Sequence, residues 1–413
     1  MEQPNKGPDT PSKPHRLSAI RYPSFRLYII GLAFTYIGFW TQVVAQGWLV
    51  LRLTDSPLLL GLVMSTNTMP FLVFGLLGGV VADRFNKRKI IVISRICTMA
   101  LVGILVILTA TNYVEAWHIF VIALMVSSFH AFDIPATQAF IPELIPKHAL
   151  VGGISLSSGV FNIGRIIGPA IAGLIIATIG EAGAFTIFII ANLIFITCFA
   201  YIHPSLQINK IHRKWEIHKD LFEALIYVKS NKKVLPIVLL AATAYMFVTS
   251  PMALLPDFTR GILGLDSIGL GKLAMALGIG AGTSGIVIAL AGDIPRKGMV
   301  VLITCFCMGI FLCLFSQTTS FLFSFVALAV FGLFQGSFSV TNMSLLFLLV
   351  PNTFHGRIMS LMVLTWGFTA FGNIAAGSIA ESFGTPVALT VAGIYISLCA
   401  VIISITYPSL KKI

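Results

Sequence analysis

The chain has 413 residues, of which 57% are hydrophobic and only 10% charged, and its mean hydropathy is +0.95. Soluble domains average about 45–50% apolar and about 25% charged residues, so a water-soluble globule is excluded and the bilayer is the solvent for most of the chain. The formal net charge of +12 would suit nucleic acid, but the bases sit in short connections between apolar runs, where they orient a membrane protein instead.

Residues 1–26 are polar and proline-rich ("MEQPNKGPDTPSKPHR") and lead into a long apolar run without a small-residue cleavage site. This predicts a cytoplasmic tail and a retained first helix rather than a secretory signal. Apolar length and polar breaks then predict twelve spans, at 27–50, 58–82, 90–111, 117–139, 151–178, 183–203, 234–257, 267–291, 298–316, 320–349, 358–381 and 385–407. The longest polar break, 204–233, separates two six-helix units, 27–203 and 234–407, and 408–413 forms a short tail. Within the break, Ile217, Leu221, Ala224, Leu225 and Val228 recur at helical spacing, which predicts a linker helix lying at the membrane surface.

One alternate set of connections carries Lys6 to Arg26, Arg84 to Lys89, Lys147, Lys210 to Lys233, Arg296 with Lys297, Arg357, and Lys411 with Lys412. The other set carries little beyond Arg52 and Arg260. The positive-inside rule puts the first set, and both termini, in the cytoplasm.

The halves repeat weakly. "LTDSPLLLGLVMS" from residue 53 parallels "GLDSIGLGKLAMA" from residue 264, Asp83 parallels Asp293, and "GPAIAGLIIATIG" from residue 168 parallels "GNIAAGSIAESFG" from residue 372. Two like-oriented halves related by an axis along the membrane normal form a transporter architecture with its substrate site near the midplane. Catalysis lacks a signature: no P-loop, no H-E-x-x-H and no nucleophile with a base partner stands out. The six cysteines show no zinc or thioredoxin spacing, so no metal and no cofactor is expected.

The stretch "GGVVADRFNKRK" (78–89) resembles the signature of the major facilitator superfamily between spans two and three, G-x-x-x-D-R-x-G-R-[RK]. Gly79, Asp83, Arg84, Lys87, Arg88 and Lys89 carry it, with Asn86 at the usual second glycine. "WLVLRLTDSPLLLGLV", "FDIPATQAFIPELIP", "NIGRIIGPAIAGLIIATIGEAGAF" and "GRIMSLMVLTWGF" are similar to the branch that holds the enterobactin exporter and macrolide efflux proteins. The resemblance implies an all-α membrane protein of two pseudo-symmetric six-helix bundles. It also implies proton-driven export of a small molecule, a siderophore or a drug-like compound, across a bacterial inner membrane. Import of a siderophore or other nutrient by the same fold stays open. It further implies that Asp83 latches onto the start of span eleven, near Gly356 and Arg357. "GRIIGPAIAG" (164–173) resembles the antiporter motif of span five, carried by Gly164, Gly168, Pro169 and Gly173, with Ala172 replacing one glycine.

An intramembrane carboxylate is a functional-site hypothesis by default. Asp133 has three readings: a proton carrier, a buried partner of Arg165 on span five, or a charge near the cytoplasmic end of span four. His130, three residues earlier, shares its helix face and is either a relay or a hydrogen-bonded packing residue. Polar and aromatic residues inside the spans are the candidates for lining the substrate path: Tyr36, Trp40, Gln42, Gln46, Asn67, Tyr245, Gln335, Asn342 and Asn373. That path is nearly free of fixed charge, which favours an amphipathic molecule, neutral or carrying its own compensated charge, over a simple ion or sugar phosphate. The expected partners are this substrate, protons and the lipid bilayer, with no nucleic acid, for a monomeric protein.

Overall fold

In the computed structural model, residues 18–202, 217–292, 296–351 and 354–413 are described, and these contain helices and connecting turns but no strand. Twelve stretches among them are long and apolar enough to cross a membrane. In the first half, α1 runs Pro23–Thr54, α2 Pro57–Ser65, α3 Met69–Arg84, α4 Lys87–Ala110, α5 Ala116–Leu144, α6 Leu150–Ile179 and α7 Glu181–Ala200. A helix at 217–230, α8, precedes the second half. There α9 runs Leu235–Val248, α10 Ser250–Asp257, α11 Ser267–Ala291, α12 Lys297–Ser316, α13 Phe321–Leu349, α14 His355–Gly367, α15 Thr369–Phe383 and α16 Thr385–Thr406.

Each half packs as a bundle. In the first, α1 lies on α6 and α7, while α5 lies on α3 and α4; in the second, α13 lies on α11 and α12, and α16 on α12 and α15. Outward-facing Ile104, Ile107, Leu193, Leu398, Ile402 and Ile405 are all at least half exposed, a surface that only hydrocarbon tolerates in such density. In α8, Ala224 and Val228 are buried, and Tyr227 stacks on Phe354 with ring centroids 4.6 Å apart. Leu225 is exposed and so does not join that face; the side chains of Ile217 and Leu221 lie outside the described residues.

Three spans expected to be continuous are broken. The second divides into α2 and α3 at residues 66–68, the seventh into α9 and α10 at Thr249, and the eleventh into α14 and α15 at Phe368. Pro70 and Pro251 account for the first two, because proline lacks the N–H a helix needs and disfavours helical geometry in the residue before it. The third break has no proline, and the pattern of apolar residues runs through it.

The halves meet along two helix pairs, α2 with α15 and α6 with α11. Glycine permits the approach. A Cβ on Gly377 would lie 2.8 Å from the carbonyl oxygen of Pro57, and one on Gly61 would be 3.0 Å from Cα of Gly377. A Cβ on Gly173 would be 3.1 Å from Cα of Gly271, and one on Gly271 2.5 Å from the carbonyl oxygen of Pro169. Small residues allow this backbone contact inside a membrane. Gly377 and Gly173 are the counterparts aligned by the internal repeat, so the two crossings are pseudo-symmetric copies of one another.

Both crossings lie toward the face opposite the chain termini, and polar contacts reinforce that face. The Ser56 hydroxyl and the Leu58 N–H donate to Glu381 Oε2 at 2.8 and 3.1 Å, Arg260 pairs with Asp55 at 2.7 Å, and the Thr385 hydroxyl donates to Asp257. Arg52 pairs with Glu181 at 2.7 Å. The two bases that stand out on this side are therefore both neutralised by acids. On the face of the termini, among the described residues, a Cβ on Gly79, Gly159 or Gly285 would meet nothing within 4 Å.

Gly61→Val and Gly377→Val are expected to destabilise the protein by about 1–3 kcal/mol each, the range for overpacking. Gly79→Ala should leave stability unchanged or slightly raised, as expected when alanine replaces a helical glycine in open space. Thermal unfolding of the detergent-purified variants checks the contrast.

Candidate substrate site between the two halves

The charged motif of residues 78–89 divides its work. Asn86 caps α4: its side-chain oxygen accepts the N–H groups of Arg88 and Lys89 at 3.0 and 3.3 Å. A capping asparagine is thus useful where the superfamily pattern has glycine. Lys87 pairs with Glu143 at the end of α5, at 2.6 Å. Arg88 donates to the carbonyls of Ile202, Phe199 and Ala200 at 2.7, 3.1 and 3.1 Å and lies 5.3 Å from the Phe199 ring centroid. It satisfies the orphan carbonyls at the end of α7, where a cation is favoured. Arg84 is exposed. The latch expected between Asp83 on α3 and Arg357 on α14 involves side chains outside the described residues. Gly78, rather than Gly79, makes the close approach: a Cβ there would run into the carbonyl of Ala131 on α5. Pro135 is four residues further on and leaves that carbonyl without its helical donor.

The buried partner of Asp133 is Arg95, not Arg165. Arg95 on α4 is 4% exposed; its Nη2 lies 3.2 Å from Asp133 Oδ2. Its Nη1 donates to Thr35 Oγ1 at 2.8 Å and Asn192 Oδ1 at 2.9 Å, and the guanidinium lies 3.8 Å from the Phe195 ring centroid. Asp133 also accepts from Thr137 at 3.5 Å. Four helices of the first half, α1, α4, α5 and α7, meet at this cluster. An arginine at the seventh position of the run "KIIVISRICTMALV" is a readable signal, but nothing in the linear order says which arginine faces Asp133. His130 packs on Phe39, centroids 5.5 Å apart, and the hydrogen bonds of Asp133 go elsewhere.

Arg165 instead faces the other half. Its Nη2 donates to Gln335 Oε1 on α13 at 2.6 Å, and its guanidinium carbon is 5.6 Å from the Trp40 ring centroid. Trp40 meets Phe161 and Phe39 at 6.0 and 5.5 Å between centroids, and Phe161 meets Tyr36 at 5.1 Å. All three members of the link, Trp40, Arg165 and Gln335, fall near the middle of their helices. Span five is shaped to allow this. Gly164 and Gly168 seat it on Tyr36 and Trp40 of α1, and Gly173 seats it on α11. Buried Pro169 leaves the Arg165 carbonyl without its helical donor, and a Cβ on Gly278 would come within 2.5 Å of that oxygen.

The helix breaks lie beside this link and are patched by the candidate polar residues. Gln335 Nε2 donates to the Val248 carbonyl at the end of α9, at 3.4 Å. Thr249 donates to Asn373 Oδ1 at 3.0 Å, and Thr369 donates to Thr68 across the halves at 2.8 Å. Gln46 donates to the Val63 carbonyl at 3.4 Å, where α2 ends; Asn67 sits in that break with its amide 3.8 Å from the Met64 sulfur. Tyr245 donates to Ser339 at 3.2 Å. Gln42 and Asn342 are buried and keep a side-chain oxygen without a partner. Among the described residues no group of three or more His, Cys, Asp or Glu could hold a metal ion. Irregular backbone at membrane depth is tolerated only inside protein or along a cavity, and broken helices at the midplane mark transporter binding sites.

Residues 15–412 match the family described as transmembrane secretion effector, within the major facilitator superfamily. The chain belongs to this family. It is a multi-pass membrane transporter. It is 25% identical to the staphyloferrin A transporter of Staphylococcus aureus, over 87% of this chain and 90% of that one. It is also 25% identical to macrolide efflux protein A of Streptococcus pyogenes, over 78% and 81%. A crystal structure of a POT family transporter with 5-aminolevulinic acid shares the fold, with a TM-score of 0.76 at 12% identity over 95% and 97% of the two chains.

Removing one member of a buried ion pair costs about 3–5 kcal/mol because the other charge is stranded. Arg95→Gln and Asp133→Asn are each expected to lower thermal stability on that scale, and the double variant should recover part of the loss. A cycle between Asp133 and Arg165 should show no coupling. Melting temperatures and membrane expression of the six proteins in the two cycles check both statements.

Proposed function

We propose that this transporter exports a small amphipathic molecule, a siderophore or a drug-like compound, across a bacterial inner membrane by alternating access. In this reading the termini face the cytoplasm, the protein works as a monomer, and protons move in exchange. The observation that carries it is the chain of contacts from Trp40 through Arg165 and Gln335 to the Val248 carbonyl, which joins the halves at the depth where their broken helices meet. Export is supported by relatives named for efflux and by an antiporter-like span five that seats against both halves.

The two units, 27–203 and 234–407 with the 204–233 connection, would rock about the helix pairs that join them, α2 with α15 and α6 with α11. Glu381, Asp55 and Arg260 would release when the far face opens, and Asp83 with Arg357 would close the cytoplasmic face. Proton exchange would use Asp133, held by Arg95 and Thr137, with His130 on the adjoining turn.

Deletion of the gene should remove a compound from spent medium, and purified protein in liposomes should catalyse counterflow of that compound. Acid-inside inverted vesicles should accumulate it, and a protonophore should abolish accumulation but leave counterflow. Accumulation that ignores the protonophore would remove proton exchange from the reading. Asp83→Asn should still insert into the membrane while its transport falls severalfold; transport at the wild-type rate would reduce Asp83 to a loop charge.

A further inference from the structure

The sequence suggests a path nearly free of fixed charge, with Asp133 as one candidate partner for Arg165. Arg95 takes Asp133 instead, and among the described residues no carboxylate lies within salt-bridge distance of Arg165. A full positive charge therefore stands at the centre of span five, between the halves, held by one neutral carboxamide. A charge left this way within a membrane is expensive and marks a ligand or ion pathway.

Two further groups at the same place lack partners. Arg165 Nε and Trp40 Nε1 are both buried N–H donors with no acceptor. Three convergent donors, Nη2, Nε and the indole N–H, thus have one acceptor among them. What the place lacks is an acceptor with several lone pairs and a negative charge, which a carboxylate supplies in the fork geometry that guanidinium prefers.

The approach is also visible. Ser158, Phe161, Asn162 and Arg165 recur at helical spacing on one face of α6, with Ser158 and Phe161 exposed and Asn162 and Arg165 half-buried. This stripe leads from Arg165 toward the face of the termini, on the side where Gly159 and Gly285 meet nothing. Beside it, Trp40, Phe161 and Tyr36 form an edge-to-face aromatic wall, suited to a flat apolar body. The opposite face is closed by the two glycine crossings.

We propose that Arg165 recognises a carboxylate on the transported molecule, whose apolar body lies against Trp40, Phe161 and Tyr36, and that this carboxylate takes the guanidinium from Gln335. The inference rests on the export reading and adds the substrate class to it: an amphipathic monoanion or polyanion, not a cation or a neutral compound. It also couples binding to conformation. In the unloaded protein Arg165 is a bond between the halves; once it turns to substrate, that bond is gone and the crossings on the far face are left to hold the halves together.

The probes are 2-naphthoate and its neutral isostere 2-naphthamide, measured by equilibrium dialysis with purified protein in phosphatidylcholine nanodiscs, which present no net-anionic headgroup. Wild-type protein should bind naphthoate about tenfold or more tighter than naphthamide, the scale of hydrogen bonds to a charged group. Arg165→Gln should lose that preference, Arg165→Lys should keep part of it, and Gln335→Ala should bind naphthoate severalfold tighter because the competing carboxamide is absent. Monodispersity and melting temperature identify a variant that fails to fold, and Arg165→Lys and Gln335→Ala then carry the test. Equal binding of both probes by wild type, or an anion preference that survives Arg165→Gln, overturns the anion site. Unchanged or weaker naphthoate binding in Gln335→Ala overturns the exchange. Counterflow of the exported compound with no anion preference would sink this inference and leave export standing; anion preference without counterflow of any exported compound would do the reverse.

Discussion

Hydrocarbon offers no partner to a backbone N–H or C=O, and each one left bare costs several kcal/mol. That constraint makes every described span a helix and decides where a helix can stop. Spans two, seven and eleven break where side chains reach carbonyls beside the break: Gln46 at Val63, Gln335 at Val248, and Thr369 at Trp366. Proline is accommodated by the same rule. Pro135 and Pro169 free the carbonyls of Ala131 and Arg165, and in each case a glycine of a neighbouring helix, Gly78 or Gly278, comes close enough to cover the oxygen.

Charge obeys a related rule, and the two arginines inside the first half show its two outcomes. Arg95 is surrounded by acceptors: a carboxylate, a hydroxyl and a carboxamide, with an aromatic face beneath. It is a structural rivet joining four helices. Arg165 has the same chemistry and an aromatic ring nearby, but a single carboxamide acceptor that belongs to the other half. While Asp133 is ionised the first arrangement resists change, because any motion then strands two charges. The second is poised for exchange, since losing Gln335 and gaining another acceptor leaves the guanidinium no worse off.

The glycine crossings set the mechanical frame for that exchange. Backbone contact at Gly61 with Gly377 and at Gly173 with Gly271 would give the proposed rocking two pivots of similar shape on either side of the centre. A pivot of bare backbone has no interlocked side chains to unpack. Rotation about it therefore meets less resistance than at an interface of interdigitated leucines, where packing is bistable rather than continuous. The ion pair and hydrogen bonds near the pivots, from Arg260 and to Glu381, lie at the water boundary, where such contacts are weak enough to break.

Hydropathy and the placement of bases were enough to read twelve spans, and the helices that form them begin and end within about five residues of those limits. This is legible because each span answers to the bilayer before it answers to its neighbours. The glycines of the repeat were legible as close-packing positions for a similar reason: absence of a side chain is a local fact. The partners of charges were not. Asp133 and Arg165 sit on consecutive spans and suggest each other, yet Arg95, on a span between two apolar stretches, takes the acid because α4 and α5 pack face to face while Arg165 turns toward α13. The break at Phe368 was equally hidden, since no proline or glycine run announces it and its neighbours, α3, α8 and α9 against α14 and α2, α9 and α16 against α15, are set by packing. Sequence alone determined that this chain crosses the membrane twelve times and where its small residues lie; helix rotation, which linear order does not encode, decided which arginine was neutralised and which was left facing the other half.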